Sequence, residues 1–597
     1  MTLRVTVLLM LSVLIPLLLL SACSSLQKPE TEPFVSETAP PRKQEFRWSN
    51  GGVPKSFDPA LASAPPETDI VRAVYEGLTE IDAKTLQVVP AAAEKWEVSE
   101  DGKIWTFHLR ENAKWSNGAP VTADDFVRSW ARLAEMGGRA AHNNLLDNIA
   151  GFPIKKPETT ATPVGQTDFL LDSYSTQKPP ESKAADPSPG GSPNSNLGPP
   201  VNPDPVGVTA IDARTLQVSL DLPDPDFPKL VANPILRPIF GDGKEFEGEK
   251  LNGGIITNGA FAIKDVGSDG INLDRSETYW NKDATKLERV RFVPKETAEA
   301  ALEAYRAGEI DAVTNAEFAP LALKLLEPYK DFRRTTHNAL NFYEFNYRIY
   351  PYDDRRVREA LAIAIERERL TESELEGTTQ PAHRFLPFGG KVDVKVSQDK
   401  EKARDLLDQA GFPNGENFPV IRLVVNRNDT QQRVARTVAQ MWKQNLNLKT
   451  DIIVKEPAEL EKARKIGDFD LMRRGVVLPT VDEMASFQAI FGDGRPPAGI
   501  YDENGMRVLD DDPLNKPGTT ADSSGKPAGA LMENLVLIRS EEEALYQFYA
   551  IPLYFPTSYS LVKPYVSGFE INSLDAPLLK DVSIDNTWQP KTPKNES

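Results

Sequence analysis

One cysteine in 597 residues, Cys23, is the tightest limit on what this chain can fold into. A lone thiol excludes internal disulfides and any cysteine-rich metal site, so a chain of this size is held together by its hydrophobic cores. With 40% hydrophobic and 26% charged residues it is too long for one compact core, and two or three lobes are expected. The formal net charge of -18 repels phosphate backbones and anionic lipid alike. This argues against nucleic acid and against wide adhesion to a membrane surface, and solubility is a sufficient reason for the charge.

Residues 1–22 read as an export signal, with one positive charge at Arg4, an apolar run and small residues before the cysteine. The run is broken by Pro16 and followed by no stop-transfer pattern, so it is too short and wrongly flanked for a spanning helix. Leu20-Ser21-Ala22-Cys23 resembles a bacterial lipobox, which implies cleavage before Cys23 and lipid attachment to its sulfur. The alternative is an ordinary signal peptide with a chance cysteine, against which stands the absence of any second cysteine. The expected location is the cell envelope, lipid-anchored on the periplasmic or extracytoplasmic face of a bacterial membrane.

Three stretches lack an apolar period. Residues 23–44, rich in proline and polar side chains, read as a flexible tether. Residues 155–205, including "KPPESKAADPSPGGSPNSNLGPPVNPDP" at their end, hold too little apolar surface to offset the entropy of ordering them and read as a disordered excursion. Residues 492–530 have the same Gly, Pro and Asp texture and read as a long loop.

Elsewhere periods of two and of 3.6 alternate, as in an α/β architecture. "IWTFHLR" puts Trp105, Phe107 and Leu109 on one strand face, with His108 outward. "VTADDFVRSWARLAEM" predicts a helix capped by Thr122, with Asp124 and Asp125 at the positive end of its dipole and Phe126, Trp130 and Leu133 facing inward. "RRVREALAIAIERERL" spaces Val357, Leu361 and Ile365 four apart. "FPVIRLVVN", "QQRVARTVAQMWKQNLNL" and "KTDIIV" read as strand, helix and strand, a βαβ unit that implies parallel pairing in the later half.

The run from Ala92 to Phe126, "AAEKWEVSEDGKIWTFHLRENAKWSNGAPVTADDF" in its core, resembles the signature of solute-binding family 5, the extracytoplasmic receptors of peptide-importing ABC transporters. "SFDPALA" (Ser56–Ala62), "YEGL" (Tyr75–Leu78), "TNGAF" (Thr257–Phe261), Tyr279-Trp280, "AYRAGEIDAVTN" (Ala304–Asn315), "FYEFN" (Phe342–Asn346), "DDRRVREALAIAIER" (Asp353–Arg367) and "IPLYF" extend the likeness over nearly the whole mature chain, nearest to oligopeptide-binding proteins. The resemblance implies a three-lobed, periplasmic-binding-protein-like α/β fold, type II-like, with a hinged ligand cleft between the first and third lobes. Lobe one is expected from residues 45–90, 206–315 and 551–597, lobe two from 91–205, and lobe three from 316–550. It further implies a monomer, partnered by ABC transporter permease subunits and a peptide or peptide-like ligand, with no cofactor and no metal.

Residue by residue, the resemblance assigns Arg464 and Arg473 to the ligand carboxylate, a role suited to arginine's planar fork. Asn426 matches a ligand-contacting asparagine, and Ser63, Ala64 and Pro65 match a segment that pairs with ligand backbone, although Pro65 has no N–H to give. The departures concern the ligand amine. Val476 stands where the family has a tryptophan and Pro479 where it has the aspartate that pairs with the ammonium; Asp482 or Glu483 could take over only if the run is re-registered. Pro457, Gln431 and Pro556 replace a tryptophan, a histidine and a tyrosine at contact positions. A ligand is therefore expected that carries a carboxylate or other anion at one end and an amine that is blocked, absent or differently placed. The stretch "MENLVLIRSEEEALYQFYA" follows the family helix loosely, so lobe three is expected to be trimmed.

An exported hydrolase is the reading from another class. Four histidines, His108, His142, His337 and His383, stand in unrelated contexts, with no HExxH spacing, no GxSxG elbow and no glycine-rich phosphate loop. A sensor or other non-transport receptor on the same fold is a further alternative, because fold does not fix function.

Overall fold

The computed structural model describes residues 33–152, 207–246, 251–388, 395–491, 500–501, 507–508 and 540–590. The signal segment 1–22, Cys23 and the excursion 155–205 lie outside the described residues. So does the loop 492–530, apart from an antiparallel pair, Ile500–Tyr501 with Arg507–Val508.

In chain order the ordered elements begin with strand β1 (Glu45–Ser49) and helix α1 (Glu67–Val74). Strands β2 (Ala93–Val98) and β3 (Ile104–Leu109) then lead into helix α2 (Ala123–Met136). Next come β4 (Val208–Asp212), β5 (Thr215–Ser219), β6 (Phe261–Gly267), β7 (Gly270–Arg275), β8 (Arg289–Phe292), β9 (Ala312–Val313) and β10 (Phe332–Thr336). Past that point lie β11 (Ala339–Phe345), α3 (Arg355–Ile363), β12 (Gln380–Pro381), β13 (Ile421–Asn426), α4 (Asp429–Leu446), β14 (Thr450–Lys455), α5 (Pro457–Ile466), β15 (Leu471–Val477) and α6 (Glu483–Phe491). The chain returns through β16 (Ala550–Phe555) and β17 (Thr557–Val562).

These strands build three main sheets. The first has the order β10-β17-β9-β1-β8-β7-β6, the second β12-β16-β11-β15-β13-β14, and a four-stranded sheet runs β2-β3-β5-β4. One continuous apolar core, containing Trp48, Trp105, Trp115 and Trp130, underlies the first and the four-stranded sheets. A second core, around Tyr343, Leu361, Trp442 and Phe487, fills the later lobe. The expected βαβ unit is present, since β13 and β14 pair in parallel across α4. Its sheet is nevertheless mixed, because β11 runs antiparallel to both β15 and β16.

Local chemistry explains the early elements. Trp105, Phe107 and Leu109 are buried on one face of β3, while Thr106 and His108 stay half-exposed on the other. Thr122 and Asp125 close a capping box on α2, and the Asp125 carboxylate also accepts from Trp115 Nε1 at 3.1 Å. A cap of this kind is worth about 1 kcal/mol. Three of the sequence motifs converge on Glu76. Its backbone N–H and C=O pair with the Asn258 side-chain amide, and its carboxylate accepts from Tyr279 Oη at 2.5 Å and Trp280 Nε1 at 2.6 Å. Gly259 is required there because a Cβ would lie 2.5 Å from the Val74 carbonyl carbon at the end of α1. The signature is scaffold.

Several expected boundaries move. Residues 33–44, expected as tether, are fastened to the first sheet: the Val35 N–H donates to Asp331 Oδ1 at 2.8 Å, and Lys563 Nζ to Ser36 Oγ at 2.8 Å. Strand β10, expected in lobe three, belongs to the first sheet, and β16 belongs wholly to the second. Strands β4 and β5, expected in lobe one, complete the four-stranded sheet. Helix α3 ends at Ile363, so Ile365 is buried just beyond it rather than within it.

The chain consequently passes between the two large sheets at His337–Asn338 and again at Pro556. A hydrogen bond from the His337 N–H to the Pro556 carbonyl, 2.9 Å, ties the two crossings together. Helix α6 adds a contact between lobes, for Ala485 packs in the first core while Phe487 and Ile490 pack in the second.

Candidate functional site

Two cavities lie against the crossings, His337 lining one and Pro556 the other. The first, about 60 Å³, draws one wall from Ser63, Ala64 and Pro65 just before α1 and the opposite wall from Val477, Leu478 and Pro479 at the end of β15. Burial lowers the pKa of His142, which keeps the ring neutral, and its Nε2 lies 3.0 Å from the Ser63 carbonyl. From the other side Asn233 Nδ2 donates to the Pro479 carbonyl at 2.8 Å, and Asn338 Nδ2 donates to the carbonyls of Leu478 and Thr480 at 2.9 Å each. Pro65 and Pro479 face this space from opposite lobes, and neither has an N–H to offer a ligand backbone.

The second cavity, about 190 Å³, runs between Thr314–Phe318 after β9 and a wall formed by Asn341 on β11, Gln431 in the first turn of α4 and Tyr554 on β16. Gln431 Nε2 donates to Tyr554 Oη at 2.8 Å. Arg473 sits one layer behind that wall, 3% exposed. Its Nη2 donates to Asn341 Oδ1 at 2.6 Å and its Nη1 to Asn426 Oδ1 at 3.4 Å. Asn426 is therefore a strut for Arg473 and lines neither cavity.

The two arginines expected to share one carboxylate are split by the sheet. Arg473 lies on the face of Asn341, whereas Glu344 and Arg474 take the opposite face through the alternation of β11 and β15. Arg464, from α5, donates through Nε to Glu344 Oε2 at 3.1 Å, and Arg474 Nη1 lies 3.6 Å from the same oxygen. The charge of Arg464 is thus met inside the protein.

Three further expectations are corrected. Val476 is buried in the second core against Leu340, because strand parity turns it away from the cleft that Val477 lines. Asp482 is fully buried and hydrogen-bonded to the Asp224 side chain, and burial with that neighbouring carboxyl raises its pKa well above the ordinary range. Glu483 accepts the Glu541 N–H through Oε1 at 3.0 Å. Neither carboxylate reaches a cavity, so re-registration does not restore the amine partner.

Sequence reasoning placed Ser63, Ala64, Pro65 and Gln431, all of which line the cavities. It missed Asn341, Tyr554 and Thr314–Asn315, which sit inside or beside the motifs "FYEFN", "IPLYF" and "AVTN" and were open to discovery there. His142, His337 and Asp575 had no local signal. Among the described residues no group of three or more His, Cys, Asp or Glu side chains is arranged to hold a metal ion. No described helix is long and apolar enough to cross a membrane.

Two lobes joined by tied crossings, with cavities walled by both, define a protein that captures a small solute in a cleft. The chain belongs to the bacterial extracellular solute-binding proteins, family 5, whose model, described as "Bacterial extracellular solute-binding proteins, family 5 Middle", matches residues 87–497. It is 30% identical over 560 residues to the periplasmic murein peptide-binding protein MppA of Escherichia coli, with 90% of this chain and 92% of that protein covered. To the periplasmic oligopeptide-binding protein OppA of Salmonella typhimurium it is 29% identical over 540 residues, covering 88% and 90%. The unliganded open form of the MppA periplasmic murein tripeptide binding protein matches with a TM-score of 0.66 at 28% identity, covering 92% of this chain and 99% of that one. These relatives are binding proteins rather than enzymes, and they work outside the cytoplasm. This chain has the same extracytoplasmic substrate-binding role.

Proposed function

We propose that this protein is the lipid-anchored receptor of an ABC importer and encloses a peptide or peptide-like ligand between its two large sheets without transforming it. The observation that supports this is the pair of cavities set against tied crossings, each with walls from both lobes. Closure about those crossings would supply the affinity difference that separates loaded from empty receptor. Anchoring would fall to Cys23 through its sulfur, and permease subunits would read the closed form.

The ligand's anionic end belongs in the second cavity. Arg473 holds Asn341 by its Oδ1, which leaves the Asn341 Nδ2 hydrogens for a ligand oxygen, and Arg433 lines the same space. Arg473 acts here as a positioning residue rather than as the gripping fork. The first cavity, walled in part by Pro65 and Pro479, offers no second-lobe carboxylate to a free peptide N-terminus. The relatives named for murein peptides and oligopeptides make a cell-wall tripeptide and plain tripeptides the natural probes.

Native mass spectrometry of the purified soluble portion should show a retained small molecule with an acidic group. Calorimetry against tripeptides with free and acetylated N-termini should show binding that does not depend on the free terminal amine. A clear preference for free termini would refute this ligand class, and turnover of a bound ligand would refute the receptor reading.

A further inference from the structure

Asp575 is the one residue common to the linings of both cavities, and it is the one carboxylate among those lining the first. Its side chain is 10% exposed. Its backbone sits at φ 49°, the left-handed region that aspartate tolerates better than most residues. Ser558 Oγ donates to its Oδ2 at 2.7 Å, and His337 Nδ1 lies 3.0 Å from the same oxygen. Both partners belong to the crossings, one just before the outgoing strand and one just after the return. Among the described residues Oδ1 of Asp575 has no hydrogen-bond partner.

The surrounding charge favours a cation at that oxygen. Arg72 also lines the first cavity and is attracted by Asp69, Glu80 and, more weakly, Asp575, while Glu80 is ion-paired to Arg237. Leaving the histidines aside, Glu80 and Asp575 balance the two arginines, and the buried carboxyl of Asp69, about half-protonated near pH 7, adds part of a further negative charge. A desolvated ammonium needs a carboxylate or several carbonyl partners once water leaves. The second lobe supplies no carboxylate here, because Pro479 has none, Asp482 faces Asp224 and Glu483 holds the Glu541 N–H, and the Leu478 and Pro479 carbonyls already accept from Asn338 and Asn233. Glu317 and Glu376 border the second cavity but are exposed, where an ion pair is worth little.

We propose that Asp575 recognises a protonated amine of the ligand through Oδ1, at the junction of the two cavities. The amine then lies part-way along the ligand, on a side chain, instead of at its end. This rests on the peptide-like reading above and selects, among blocked, absent and displaced amines, the displaced one. Ligands of this class carry an anion at one end and a primary amine on an internal side chain.

Calorimetry at pH 7 on the full mature chain tests it with N-acetyl-Ala-Lys-Ala, N-acetyl-Ala-ornithine-Ala and the amine-free N-acetyl-Ala-norleucine-Ala. The wild type is expected to bind the better of the two amine peptides at least about tenfold more tightly than the norleucine peptide, and Asp575→Asn to abolish the difference. Glu317→Gln should keep it. Equal binding of all three by the wild type overturns the proposal alone, and does so even if Asp575→Asn fails to fold. An undiminished preference in folded Asp575→Asn also overturns it. Failure of every tripeptide, free or acetylated, to bind overturns the peptide-like reading and this inference with it.

Discussion

The carboxyl of Asp69, in α1, is almost wholly removed from water, and burial pushes its pKa from 3.8 up to about 7, against the opposing hydrogen bond from Asn50. A raised acid pKa means that the folded state holds the proton more tightly than the unfolded one. The associated stability is therefore complete below the unfolded value and is lost as pH rises through about 7. Asp69→Asn should stabilise the protein by an amount that grows from pH 4 to pH 7 and then levels off at a few kcal/mol, because each tenfold gain in proton affinity is worth about 1.4 kcal/mol. Urea unfolding of both forms across that range checks this, and parallel pH profiles would contradict it. Asn341 gives a second prediction at this scale. Its replacement by alanine removes the amide that Arg473 positions, so affinity for peptides with a free C-terminal carboxylate should fall by about 1.5–3 kcal/mol, the usual range for a hydrogen bond to a charged group. Amidated peptides should lose much less; an equal loss in both series would remove Asn341 from the anion end.

Elements set by local chemistry were legible in the sequence. The capped helix α2, the alternating strand β3 and the β13–α4–β14 unit each follow from residues within one turn or one strand. The pairing of Arg464 with Arg473 was not legible, because one lies on helix α5 and the other on strand β15, and nine positions of sequence separation do not say which face each adopts. Asp575 was hidden for a similar reason: it owes its place to His337 and Ser558, which are distant from it in the chain or on another strand. The segment before β1 reads as tether because it lacks an apolar period, yet the Val35 and Ser36 N–H groups donate to Asp331 and the Ser36 hydroxyl accepts from Lys563. A chain begun at residue 45 should accordingly be less stable than one begun at residue 33. The deficit expected is roughly 1–3 kcal/mol, since Asp331 is buried and loses two donors. Equal melting temperatures for the two truncations would show that the segment only rests on the sheet.

For the molecule as a whole, Asp224 and Asp482 form a buried carboxyl pair between the lobes, with Asp226 adding a third nearby negative charge. The raised pKa of Asp482 makes their contact favourable when a proton is shared and costly when it is lost, so the contribution disappears as pH rises through the folded value. Small-angle scattering of unliganded protein should show expansion as the pH is raised from the ordinary carboxyl range to well above it, and Asp482→Asn should flatten that change; an unchanged curve for wild type across the whole range would dismiss the effect. The topology carries a different consequence. Strand β17 lies between β10 and β9, yet it is synthesised only after the entire second lobe. A nascent chain can therefore assemble the later lobe on its own while the earlier sheet still lacks its bridging strand, and long-range pairing of this kind is intrinsically slow. The first sheet thus stays open, in two parts, until the last tenth or so of the chain has been made.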